Sequence, residues 1–152
     1  MTHSFMGTIT NKLDKKGRIS VPASFRAELE GLDTDELVAR PSQMGACIEV
    51  MPKAAHNAQV AQLRSMQGYS PQQRAFLIML MGSSVILRPD AEGRILLPAK
   101  FIAKANLSDE AAFRGMGDFF EIWEPAACEA DTEDAISLAA ANGFTLPPLV
   151  TS

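Results

Sequence analysis

The sequence predicts an α+β fold built from two copies of one unit, each running strand, turn, strand, short helix, strand, turn, strand, longer helix. Three observations predict it. The stretch LDKKGRISVPASF at residues 13–25 returns 76 positions later as PDAEGRILLPAKF, and between 14–27 and 90–103 eight of fourteen positions are identical. A fainter echo follows at an offset of 72, where Gly45, Glu49, Ala54 and Ala55 match Gly117, Glu121, Ala126 and Ala127. Finally, RISV alternates outward and inward side chains as a half-buried strand does, and the proline after it ends the ladder where a helix begins.

The elements follow in order. THSFMGTITNKL supplies the first strand, and Asp14, Lys15, Lys16 and Gly17 the turn, because aspartate bonds nearby backbone and glycine accepts positive φ. After RISV, Pro22 is expected at the first position of the helix PASFRAEL, which ends near Gly31. ELVAR and ACIEVM are the next strands. From Lys53 a helix carrying Ala58, Val60, Ala61 and Leu63 is expected to reach about Gln67. Ser70, Pro71 and Gln73 then make a capping-box start to another helix through Met81. Its run FLIMLM is apolar on nearly every side, which predicts burial in the core or against another subunit.

The second copy reads VILRP, DAEG, RILL, PAKFIAKANL, AFRGM and FFEIW, then one helix from Pro125 to Asn142 stopped by Gly143. Its first turn is read as acidic, with Glu129, Asp131 and Glu133 close behind, suiting the positive helix end. The expected organisation is a first half at 1–75, a second at 76–142 and a loosely ordered tail at 143–152.

Composition narrows the function. A chain of 152 residues with 47% hydrophobic residues can bury a core. No apolar run reaches the length of a membrane span, and the first residues lack a secretory pattern, so a soluble cytoplasmic protein is expected. Cys47 and Cys128 lie far apart with no CxxC, which predicts two buried free thiols. With His3 and His56 the only histidines, imidazole-based catalysis or metal binding is not expected. Carboxylates such as Asp131 and Glu133 read as a solvated helix face with no nucleophile beside them, so no enzyme, cofactor or small-molecule substrate is expected.

The net charge of −4 conceals an uneven distribution. Residues 105–152 carry one arginine against nine acids, whereas within 12–26 Lys12, Lys15, Lys16, Arg18 and Arg26 face only Asp14. For a polyanion this local field matters more than the total. A hairpin is narrow enough to enter the major groove of double-stranded DNA, where lysines neutralise phosphates and an arginine reads a guanine edge through two hydrogen bonds. Asp14 and Arg18, like Asp90 and Arg94, can also pair simply to fix the turn. Both roles are compatible, since a held guanidinium is better placed for readout.

LDKKGRISVPASFR followed by DAEGRILLPAKF, joined through LIMLMGSS and leading to FFEIW, resembles the MraZ family of bacterial transcriptional regulators, within the AbrB-like swapped-hairpin superfamily. The resemblance covers about residues 1–140. It implies an intrachain pseudo-dimer of two half-barrels with flanking helices, self-association into a ring-like homo-oligomer, and a nucleoid-associated cytoplasmic protein. It further implies binding to G-rich direct repeats upstream of the division and cell-wall gene cluster, with repression as the expected sign and activation left open. Carried over by position, the motif arginines are Arg18 and Arg94, supported by Asp14 and Asp90; with the lysines that the local charge picks out, the expected DNA-binding residues are Lys12, Lys15, Lys16, Arg18 and Arg94, on turns that also need Gly17 and Gly93. The second turn departs from a basic one, with Ala91 and Glu92 where the first has Lys15 and Lys16. The competing expectation is a ring-forming protein-interaction or antitoxin-like module, favoured by the acidic C-terminal half.

Overall fold

Strands of the two copies pair with each other more than with their own in the computed structural model, which describes residues 4–66 and 70–150. The first copy contributes β1 (Thr8–Lys12), β2 (Arg18–Ser20), α1 (Ala23–Leu29), β3 (Leu37–Pro41), β4 (Ile48–Pro52), α2 (Lys53–Ser65) and α3 (Pro71–Ser83). The second contributes β5 (Val85–Leu87), β6 (Arg94–Leu96), α4 (Ala99–Lys104), β7 (Glu110–Gly115), β8 (Phe120–Trp123) and α5 (Pro125–Ala141).

Six strands form one antiparallel sheet in the order β1-β7-β8-β4-β3-β5, and β2 pairs with β6 as a separate two-stranded ladder. The first strand of each copy thus adds to the third strand of the other: β1 to β7 and β5 to β3. At the two midpoints, equivalent residues meet. Ile19 lies opposite Ile95 and Glu49 opposite Glu121. Those partners are separated by the repeat offsets of 76 and 72, so exchanging the copies leaves the pairing pattern unchanged.

Alternation along β2 and β6 buries Ile19 and Ile95 while Arg18, Ser20, Arg94 and Leu96 take the other face. Ile19, Val21 and Phe25 join Ile95, Leu97 and Phe101 in one core, each nearly inaccessible. Phe5, Phe25, Phe113 and Phe120 meet at edge-on or tilted angles, with centroids 5.1–6.4 Å apart. Each fully buried side chain of this size contributes roughly 1.5–3 kcal/mol.

Several expectations shift. Pro22 and Pro98 sit at the N-caps, one residue before α1 and α4, and their carbonyls accept the first helical N–H bonds. Thr2, His3 and Gln67 lie outside the described residues. The helix from Lys53 ends at Ser65, and the side chain it buries is His56, whereas Ala58 and Ala61 are exposed. Val60 and Leu63 are half-buried, and the two alanines face outward because the sheet meets this helix through a polar network, described below. The capping box is half made: Ser70 Oγ accepts from Gln73 N, but the Gln73 side chain donates to Leu63 O.

Burial of FLIMLM holds on one side only. Leu77 and Leu80 pack inward, but Ile78, Met79 and Met81 are exposed on this chain. The acidic first turn of α5 is also corrected: no acid lies there, and Glu124 caps the helix by accepting from Ala126 N and Ala127 N. Asp131 is not simply solvated either, because it pairs with Arg114 at 2.7 Å. Among the described residues no helix is long and apolar enough to cross a membrane.

Candidate nucleic-acid interface

Each D-x-x-G-R turn is closed by its aspartate. Asp14 Oδ1 accepts from Lys16 N at 2.9 Å and Arg18 N at 2.8 Å, and Oδ2 accepts from Arg18 Nε at 2.7 Å. The second turn repeats this: Asp90 Oδ1 accepts from Glu92 N and Arg94 N at 2.9 Å, and Oδ2 from Arg94 Nε at 3.0 Å. The Arg18 backbone N–H, followed by its side chain, holds the Asp14 carboxyl below its ordinary value of 3.8. The Arg94 backbone N–H does the same for Asp90. Both carboxylates therefore stay charged throughout the neutral range.

The fourth residue of each turn must be glycine. Gly17 and Gly93 have φ of +89° and +78°, a region costly for side chains. Both are also covered by the opposite copy: Leu97 N donates to Gly17 O at 2.8 Å, and Val21 N to Gly93 O at 3.0 Å. A Cβ on Gly17 would lie 2.8 Å from the Leu97 carbonyl oxygen. Each turn is thus braced internally by aspartate and externally by the other half of the chain.

Antiparallel β2 and β6 place Arg94 opposite Ser20, two positions along from Arg18. The arginines are diagonal neighbours on the outward face, with Cβ atoms roughly 7–8 Å apart. The turns lie at opposite ends of the ladder. Four strand steps from Gly17 to Val21, the residue bonded to Gly93, put the turns about 13 Å apart at ~3.3 Å per step. Only the Nε of Arg18 is engaged by Asp14, and no polar partner for its terminal nitrogens occurs among the described residues. Arg94 differs, since its Nη2 lies 3.6 Å from Glu92 Oε2.

Lys15 and Lys16 are exposed on the first turn. Lys12 is set back from them on β1, opposite Glu110 of β7. One cation, Arg88, escaped the sequence reading, and another, Arg26, was counted there only within the basic run around the first turn. Arg88 stands 76 positions after Lys12 and is ion-paired to Glu36, which also binds Lys53 Nζ at 3.1 Å. Extending the repeat two residues backward would have found it. Arg26, on α1, lies across the second turn: a Cβ on Gly93 would meet its Nη1 at 2.5 Å and its Cδ at 2.6 Å. Sequence offset alone points to Ile102 as its counterpart, and Ile102 Cδ1 would lie 3.5 Å from a Cβ on Gly17.

Away from this face, Cys47 and Cys128 are free and buried, and burial pushes the Cys47 thiol up to about 12. Among the described residues no group of His, Cys, Asp or Glu is placed to hold a metal ion.

Braced turns on interlocked copies define a duplicated α+β protein with antiparallel sheets, and the charged side chains of both turns lie on its surface. The chain matches the family model described as "MraZ protein, putative antitoxin-like" twice, over residues 4–79 and 79–143. It is 37% identical over 139 residues to "Transcriptional regulator MraZ" of Rickettsia bellii, covering 91% of this chain and 92% of that one. It is 38% identical over 134 residues to the protein of the same name from Gluconacetobacter diazotrophicus, covering 86% and 85%. The Pelagibacter ubique protein of that name is 37% identical over 125 residues, covering 82% and 81%. The chain belongs to the MraZ family, a family of transcriptional regulators and not of enzymes.

Proposed function

We propose that this protein regulates transcription by binding double-stranded DNA in a sequence-specific way through the face formed by its two turns. The observation that carries this reading is the held arginine: Asp14 fixes Arg18 through Nε and leaves the terminal nitrogens outward. Such a fork suits the O6 and N7 acceptors of guanine, and the ~13 Å between the turns is comparable with the ~12 Å width of the major groove. Lys15 and Lys16 supply phosphate contacts, with Lys12 at the margin. Arg94 is the second base-reading candidate, supported by Asp90 and Gly93 as Arg18 is by Asp14 and Gly17.

In the finer form of this reading, the fold is an AbrB-like pair of swapped-hairpin half-barrels, with halves at 1–75 and 76–142 followed by a tail from 143. The protein acts at the nucleoid on G-rich direct repeats before the division and cell-wall gene cluster. It self-associates into a ring, so that several weak contacts gain effective concentration on spaced sites. The exposed Ile78, Met79 and Met81 of α3 and Ile136 and Leu138 of α5 are apolar surface available for that assembly.

Arg18→Ala tests the reading. It should weaken binding to the duplex upstream of the gene by about tenfold to a hundredfold per base-reading arginine removed, with the circular dichroism spectrum unchanged. Undiminished retardation of that duplex in a gel would refute the assignment. A protein-interaction or antitoxin-like role draws on the same exposed α5 residues. It would gain ground if a stable protein partner were found and the upstream DNA gave no footprint.

A further inference from the structure

We propose that Arg26, a residue of the first copy, is the phosphate-binding cation of the second copy's turn. This rests on the DNA-binding reading above and extends it to a residue outside both D-x-x-G-R motifs. The starting point is a deficit. Around the first turn Lys15, Lys16 and Arg18 outnumber Asp14, whereas the second has Arg94 against Asp90 and Glu92. Left alone, the second turn would present a net negative surface to a polyanion.

Strand exchange corrects this. Val21 N donates to Gly93 O, which pins the end of β2 against the second turn, and α1 starts two residues later. Phe25 enters the core, so its neighbour Arg26 emerges beside Gly93. At the first turn the corresponding place is held by apolar Ile102. The two positions are complementary: where the turn has its own lysines the covering residue is uncharged, and where the turn lacks lysines it is an arginine. With Arg26 included, two cations face the two carboxylates of the second turn.

Arg26 is exposed, and no hydrogen bond or ion pair of its side chain occurs among the described residues. Its guanidinium rests on the glycine, which only a residue without Cβ permits. A cation so placed, beside the base-facing Arg94 but outside the Asp90 brace, is suited to a phosphate rather than a base edge.

The test uses the full-length protein and the duplex upstream of the gene, with binding measured by fluorescence anisotropy over a series of salt concentrations. Arg26→Gln should lower the slope of log K against log salt by about 0.9 for each phosphate no longer neutralised, equally on a scrambled duplex. Arg26→Lys should keep the slope. Adding Glu92→Lys to Arg26→Gln should restore it, because the new lysine takes the register of Lys16. An unchanged slope in Arg26→Gln, alongside weakened binding in Arg18→Ala, overturns the role of Arg26 and leaves the DNA-binding reading intact. An equal fall in slope in the Gln and Lys variants overturns it as well, since packing rather than charge would then be at issue. If Arg18→Ala binds as tightly as the parent, the underlying reading falls and this proposal with it.

Discussion

Gly17 and Gly93 hold equivalent positions, yet what covers them differs, and this sets unequal substitution costs. At both, a side chain is strained by positive φ, at roughly 1–2 kcal/mol. At Gly17 the added methyl also meets the Leu97 carbonyl oxygen, a backbone atom of a residue whose own N–H is bonded to Gly17 O. At Gly93 it meets mainly the guanidinium end of Arg26, which can swing away, and the nearby Cδ, which requires the stem to move too. Gly17→Ala should therefore cost about 2–3 kcal/mol and Gly93→Ala about 1–2 kcal/mol, as strain alone or with a limited repacking term. Urea denaturation of the two variants checks this, and equal midpoints would contradict the asymmetry. The aspartate beside each glycine makes a different contribution. With its folded value lowered below 3.8, Asp14 stabilises the turn at and above the ordinary aspartate range, and that contribution is lost as pH falls through the lowered value. The hairpin face is consequently insensitive to pH near neutrality.

At the level of elements, α2 and α5 are tied to the sheet by arginines from the third strands of their copies. Arg40 bonds Glu49 at 3.2 Å, Gln59 at 2.5 Å and His56 Nδ1 at 3.3 Å. Arg114 bonds Glu121, Asp131 at 2.7 Å and Thr132 at 2.8 Å, and its guanidinium lies 4.9 Å from the Trp123 ring. These cations offset the like charges that β4 and β8 bring together at Glu49 and Glu121. Because Arg40 can only donate, His56 Nδ1 must accept, which leaves the proton on Nε2. Burial, and then the Arg40 charge, holds His56 below its ordinary 6.5. The unfolded chain thus binds a proton before the folded one, so stability should fall as pH drops below about 6.5. His56→Gln should flatten that slope in urea denaturation, whereas an unchanged slope would place the titration elsewhere. Most elements were legible in the sequence because turn chemistry and alternation act locally: Asp14, Gly17 and Pro22 mark their own boundaries. The repeat also made the matched core of Ile19 and Ile95, Phe25 and Phe101 legible. What local signals do not encode is pairing between distant strands. That is why the approach of Arg26 to the opposite turn was missed; the Arg114–Asp131 ion pair and the polar seat of α2 on Arg40, which leaves Ala58 and Ala61 outward, are helix-to-sheet contacts that local signals do not encode either.

For the whole molecule, strand exchange removes the independence that a tandem repeat would otherwise have. Without the second copy, β1 loses β7, β2 loses β6 and β3 loses β5, while Ile19 and Phe25 lose the partners that enclose them. Neither copy has a core that closes by itself, so the chain should unfold as one unit despite its two family repeats. The N–H groups of Val21 and Leu97 offer a direct test, since each donates across to the turn of the other copy. Native-state hydrogen exchange should give these two amides opening free energies within about 0.5 kcal/mol, rising and falling together with urea. Trp123, the only tryptophan, lies in β8 and should lose its folded fluorescence over the same urea range. If Val21 opened at markedly lower urea than Leu97, the copies would be separable folding units. The turns could then not brace each other, and the fixed spacing on which a two-turn DNA face depends would be lost.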